Sequence, residues 1–191
     1  MFRSIVTVIG VACALGWAAA AHAGEQQVIS FAAGVAHPLG GVDHILAMAA
    51  VGVWGVLAGG RAVWVWPAAF VATMLAGFVA ATLGLQLPLV SAAISSSIIV
   101  FGMLVSLAVK APVWVGAGVV ALFAFFHGHA HGTEATAASL VAYGVGFALA
   151  TGGLHAAGIG LGLLAEGSIG KVAVRALGAL ALFGGVALIG G

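Results

Sequence analysis

Between Arg61 and Lys110 the chain carries no charged side chain at all. A segment of about 20 apolar residues is what crosses a hydrocarbon core of roughly 30 Å, and this sequence consists largely of such segments laid end to end. With 64% of its 191 residues apolar, 5% charged and a mean hydropathy of +1.30, it cannot furnish the polar shell of a soluble domain. The expected fold is an all-α membrane protein whose first partner is the lipid bilayer. No period-2 alternation with turn signals recurs, which disfavours a β-barrel. The formal charge of +1, without basic runs, argues against nucleic acid as a partner, because phosphate neutralisation needs clustered Lys and Arg.

The opening residues, "MFRSIVTVIGVACALGWAAAAHA", combine Arg3, an apolar middle and the small-residue site Ala21-His22-Ala23. That order describes a secretory signal peptide, residues 1–23, cleaved after Ala23 to leave a transmembrane domain of residues 24–191. An uncleaved first helix is the competing reading. A lipoprotein-type cut at Cys13 is disfavoured, because Gly10 stands where a leucine is preferred. Cys13 is the single cysteine, so the mature chain has no thiol, and disulfides and thiolate metal sites are excluded together.

Punctuation divides the remainder into a bundle of six spans, at about residues 38–59, 62–85, 88–109, 112–130, 135–164 and 171–189. Pro38, Pro88 and Pro112 suit a first helical turn, where the missing N–H costs nothing. If cleavage leaves Gly24 outside the cytoplasmic membrane, the loops holding Arg61, Lys110, Lys171 and Arg175 all lie inside, as positive-inside bias requires. Trp64, Trp66 and Trp114 flank those inner loops, as interfacial aromatics do. The expected location is the bacterial cytoplasmic (inner) membrane, with a periplasmic mature N-terminus. The 31 glycines suit close helix approach, and Gly152-Gly153 marks a bend in the long fifth span.

Two polar constellations interrupt this hydrocarbon. In "HPLGGVDHI", His37 precedes a proline and is expected to cap the first span rather than sit within a helix. Asp43 and His44 lie further in, and an ionisable group inside a span usually serves a pathway, a partner or an ion. In "FFHGHAHGTE", His127, His131 and Glu134 form one helical stripe at i, i+4 and i+7, with His129 facing elsewhere. Alternatively Gly128 and Gly132 let the backbone unwind and bring all three imidazoles together. Histidines plus carboxylates suit a borderline divalent ion such as nickel, cobalt, zinc or copper, not calcium or magnesium. Both constellations fall on the outer face, so they can share an ion.

Other features are weaker. Met48, one turn below His44, is read as a packing residue before a soft ligand. His155, in "ATGGLHAAG", is either an inner station on an ion path or a satisfied interior histidine. Ser91, Ser95, Ser96 and Ser97 are read as helix-bridging serines before ion ligands. There is no HExxH and no phosphate-binding G-x-x-x-x-G-K-[ST], so neither a zinc protease nor a self-powered pump is indicated.

These residues carry a resemblance to the HupE/UreJ family of small membrane proteins, associated with nickel supply to hydrogenase and urease. It covers essentially the whole chain, through "HPLGGVDH", "FHGHAHGTE" and "AYGVGFALATGGLHAAG". The larger nickel/cobalt permeases have a similar His…Asp-His signature with one residue fewer than the five between His37 and Asp43. The resemblance implies Ni²⁺ transport across the cytoplasmic membrane. It assigns importance to His37, Asp43, His44, His131 and Glu134, with His127 and His129 in the same motif. Family members often carry a glutamate roughly where this chain has Ser91, which puts affinity, ion choice or coupling in question here.

The reading that results is a non-enzymatic permease for a divalent transition metal, with no prosthetic group and the ion as cargo. Neutral imidazoles bind such ions and protonated ones release them, so uptake should fall as pH drops below about 6. The alternatives are a Co²⁺ or Zn²⁺ permease, and a membrane metal sensor or metallochaperone-docking subunit without transport. A metallochaperone or a second copy of the chain stays open as a partner.

Overall fold

The turns of this chain are set by a few residues that depart from helical geometry. The computed structural model describes residues 2–135, 138–165 and 167–190, with the side chains of residues 2–19, 21 and 188–190 outside the description. Within these bounds lie α1 (Phe2–Gly40), α2 (Val42–Ala58), α3 (Ala62–Thr82), α4 (Val90–Ser106), α5 (Val113–Glu134), α6 (Leu140–Leu164) and α7 (Gly167–Gly190). Gly59 and Gly60, at φ 79° and 57°, reverse the chain between α2 and α3. This is backbone that glycine adopts without a Cβ penalty. Ser139 starts α6, its hydroxyl accepting from the Ala142 N–H at 3.3 Å.

α2 sits centrally, against α3, α4 and α6, while α3 pairs with α5, α4 with α7 and α1 with α6. The pairings are backbone-close because glycines face backbone. A Cβ on Gly128 would run into the carbonyl of Met74, one on Gly158 into that of Ala49, and one on Gly146 into that of Phe31. Small residues at crossings are what bring transmembrane helices together, where lipid removes any hydrophobic drive between them.

The surface and the interior invert the soluble pattern. Leu122, Leu149, Leu163 and Phe183 are exposed, whereas His127, His131, His155, Ser97 and Thr151 are buried. This is a multi-pass membrane bundle. α3, α5, α6 and α7 are each long and apolar enough to cross a bilayer. The His22–Gly40 part of α1 and α2, meeting at 80°, together make one more candidate. α4, with 17 residues, extends only about 26 Å.

Several expectations change. α1 runs unbroken to Gly40, so His37 lies within a helix and does not cap one, and Pro38 sits in a last turn instead of a first. The reason is packing: Ser30, Gly34 and Pro38, at i, i+4 and i+8, form the buried stripe of α1. Ser30 Oγ also accepts the Ser139 N–H at 3.1 Å. Pro88 precedes α4 by two residues, and only Pro112 stands at a helix start, as the N-cap of α5. α6 continues through Gly152 and Gly153 as one helix. The side chains of Arg3 and Cys13 lie outside the described residues.

Trp64 and Trp114 are exposed, as interfacial aromatics should be, but Trp66 is fully buried. Its Nε1 donates to the carbonyl of Val113 at 2.8 Å, while Trp54 Nε1 donates to that of Val109, also at 2.8 Å. The two indoles lie 4.0 Å apart between centroids. They tie α2 to the connection between α4 and α5 and α3 to the start of α5, and a buried tryptophan needs such an acceptor. Arg175 Nε donates to the Ser106 carbonyl at 2.7 Å, at the C-terminal end of α4 that leads to Lys110.

Candidate metal centre

The 80° turn at Gly41 aims the first turn of α2 toward the end of α5. Asp43 Oδ1 lies 2.8 Å from His44 Nδ1. An ionised carboxylate only accepts, so Nδ1 carries the proton and the His44 lone pair is on Nε2. That Nε2 is buried and has no hydrogen-bond partner.

α5 stays helical to Glu134, so its histidines divide by face as the stripe reading expects. Gly128 and Gly132 pack against Met74 and Phe78 of α3, and the chain does not unwind there. His127 and His131 point into the bundle and are fully buried. His127 Nε2 is 3.0 Å from Ser97 Oγ, whose own proton goes to the Ile94 carbonyl at 2.6 Å. The serine oxygen therefore accepts from Nε2, leaving the lone pair on His127 Nδ1, which has no partner. Both nitrogens of His131 are likewise buried and unpaired. His129 does not join them: its Nε2 donates to the Leu85 carbonyl at 2.8 Å.

The rings form a continuous line. His37 and His131 lie 4.7 Å apart between centroids, His131 and His44 4.7 Å, and His44 and His127 4.9 Å. At the exposed end of the line, His37 Nε2 stands 3.2 Å from Glu134 Oε2. Beside it opens a polar cleft of about 290 Å³, walled by Asp43, His44, Ser91, Ser95, Thr133 and Glu134. A second opening is bounded by His37, Asp43, His44 and Glu134.

Six sequence-derived candidates thus meet: His37, Asp43, His44, His127, His131 and Glu134. Ser91 borders their cleft. Met48 is packed in the apolar core, and His155 lies on α6, with its Nδ1 2.8 Å from the Met48 carbonyl. The rings meet edge to face, and among the described residues no three His, Cys, Asp or Glu side chains already surround a common ion position. What the arrangement offers is a line of buried imidazole nitrogens without hydrogen-bond partners, behind two carboxylates, donors of the kind that suit borderline divalent ions.

Three neighbours of the line lie beyond the sequence reading in whole or in part. Ser97 was singled out as a helix-bridging serine, but its partner His127 was not foreseeable. Phe147, one turn after Tyr143 on α6, lies 4.5 Å from His131 between centroids, and Tyr143 lies 6.2 Å from His37. The i, i+4 aromatic pair is the signal that marked this face.

A family model described as "HupE / UreJ protein" matches residues 10–188. The chain is also 45% identical, over 192 residues covering 100% of each sequence, to "Protein HupE" of Rhizobium leguminosarum bv. viciae. No solved structure gives a significant match.

Proposed function

The chain belongs to the HupE/UreJ family, and from that premise we propose that it is a permease admitting Ni²⁺ through the line of imidazoles at the mouth of α2. The observation that carries this reading is the set of buried, unpaired nitrogens on His44, His127 and His131. Such groups are costly to leave without a partner, and a passing ion supplies one. Asp43 and Glu134 offset the charge of the ion while it sheds water. His37, at the rim, makes the first contact, and His129 holds the end of α5 to the loop carrying Leu85.

In this reading the protein crosses the bacterial inner membrane six times after removal of residues 1–23, with α4 and the bent α1–α2 pair completing the bundle. The imidazole line then opens to the periplasm. Ser91 at the cleft, a hydroxyl and not a carboxylate, leaves the site one negative charge short of the family pattern.

Nickel accumulation by cells lacking other nickel importers tests the proposal. The wild-type chain should support uptake, and Asp43→Asn and His44→Ala should abolish most of it at equal membrane abundance. Normal accumulation in both variants would sink it. Saturable binding by purified protein without accumulation in sealed vesicles would mark a sensor instead, and competition by Co²⁺ or Zn²⁺ identifies the preferred cargo.

A further inference from the structure

One buried imidazole lies beyond the outer cluster. His155 is 1% exposed, and its Nδ1 lies 2.8 Å from the carbonyl oxygen of Met48. A carbonyl only accepts, so Nδ1 carries the proton and the neutral ring keeps its lone pair on Nε2. That Nε2 is sealed from solvent and has no partner. An imidazole that donates one N–H to a backbone carbonyl and presents the other nitrogen bare is oriented as metal-ligating histidines are.

The backbone enforces the pose. Gly52 of α2 faces the backbone of His155 and Ile159, and Gly158 of α6 faces that of Ala49, with no room for a Cβ at either. This crossing sets the Met48 carbonyl opposite Nδ1. The His155 ring stands edge-on to Phe70 at 4.9 Å between centroids, and Phe70 lies 5.6 Å from His127. Ring thus follows ring from the outer line to His155. One turn before it, the fully buried Thr151 donates to the sulfur of Met74 at 3.6 Å. Polar and soft atoms therefore continue into a region otherwise filled with hydrocarbon.

We propose that His155 Nε2 is a second, inner ligand for the divalent ion, which takes it over after His127 lets it go. The inference rests on the permease reading. It differs from a scaffolding role for His155, in which only the Nδ1–H···O=C bond to Met48 matters.

Full-length protein in sealed liposomes, with Ni²⁺ alone as probe, separates these. His155→Gln keeps a donor for the Met48 carbonyl but removes the imidazole, and His155→Ala removes both. Equilibrium Ni²⁺ binding should persist in the two variants, while the initial uptake rate falls about tenfold or more in each. Uptake by His155→Gln within about twofold of wild type overturns the inference and leaves the permease reading standing. Joint loss of binding and uptake in His155→Gln also overturns it, assigning His155 to the fold. Wild-type liposomes that bind Ni²⁺ without accumulating it overturn the permease reading, and the inner station falls with it.

Discussion

His37 and Glu134 are 97 residues apart in sequence, yet His37 Nε2 stands 3.2 Å from Glu134 Oε2 and joins the end of α1 to the end of α5. Their side chains are 37% and 60% exposed, and a pair so solvated contributes only about 0–1 kcal/mol to stability. Structural need does not account for it. Glu134→Gln should therefore leave thermal unfolding nearly unchanged while nickel uptake drops about tenfold or more. Uptake at the wild-type rate would remove Glu134 from the ion path.

In the proposed permease, Asp43 acts on the ion partly through His44. Its carboxylate holds the proton on Nδ1, 2.8 Å away, and so fixes Nε2 as the nitrogen left free for a metal. Replacing such an orienting carboxylate costs about 10–100-fold in metal affinity. Titration of purified Asp43→Asn with Ni²⁺ should show a loss in that range, with helix content by circular dichroism unaltered. An unchanged affinity would leave His44 to orient itself.

The glycines of α5 are not equivalent. A Cβ at Gly128 meets the Met74 backbone, whereas one at Gly118 meets nothing within 4 Å. Gly128→Ala must push α3 and α5 apart, and overpacking of this kind costs about 1–3 kcal/mol. Gly118→Ala should be neutral or stabilising by up to about 1 kcal/mol through helix propensity. Thermal unfolding in detergent ranks the two, and equal midpoints would contradict the close crossing.

How much of this was legible in the sequence follows from what side chains can and cannot signal. Hydropathy located α2 to α7, and the i, i+4, i+7 spacing of His127, His131 and Glu134 separated them from His129. It could not reveal α1 beyond Ala23. Glu25, Gln26 and Gln27 lower its hydropathy, and among its described side chains only the stripe Ser30, Gly34 and Pro38 is buried. Pro38 reads as a helix start because proline is favoured there, yet it lies buried in the last turn of α1, a placement that its local sequence does not signal. Trp66 was misplaced because an indole suits an interface or a core equally well, and only tertiary structure supplies the Val113 carbonyl. Pairings across the bundle, such as Ser97 with His127, have no local signature.

The same indole makes a prediction. Trp66→Phe keeps most of the buried ring but removes the indole donor that the Val113 carbonyl accepts beside its helical N–H, at a cost of about 0.5–1.5 kcal/mol for one lost hydrogen bond. Trp64→Phe, at a position 71% exposed, should shift stability by no more than about 0.5 kcal/mol. Unfolding midpoints measured on the two variants should differ in that order. A larger effect from Trp64 would return Trp66 to the interface.

Orientation can be tested through the segregation of charge and ligands along the bundle. Arg61 follows α2 and Lys110 precedes α5, while Asp43 begins α2 and Glu134 ends α5, so the basic residues and the imidazole line occupy opposite ends. If the basic end is cytoplasmic, a cysteine at Thr133 should react with a membrane-impermeant maleimide in cells whose outer membrane alone is permeabilised. A cysteine at Lys110 should react only after lysis, with Arg61, Lys171 and Arg175 left to hold the charge bias. Cleavage after Ala23 would remove Cys13 and leave each variant a single thiol, which the mass of the purified chain reports. Labelling in the reverse order would turn the imidazole line toward the cytoplasm, and the same residues would then serve release or export in place of capture.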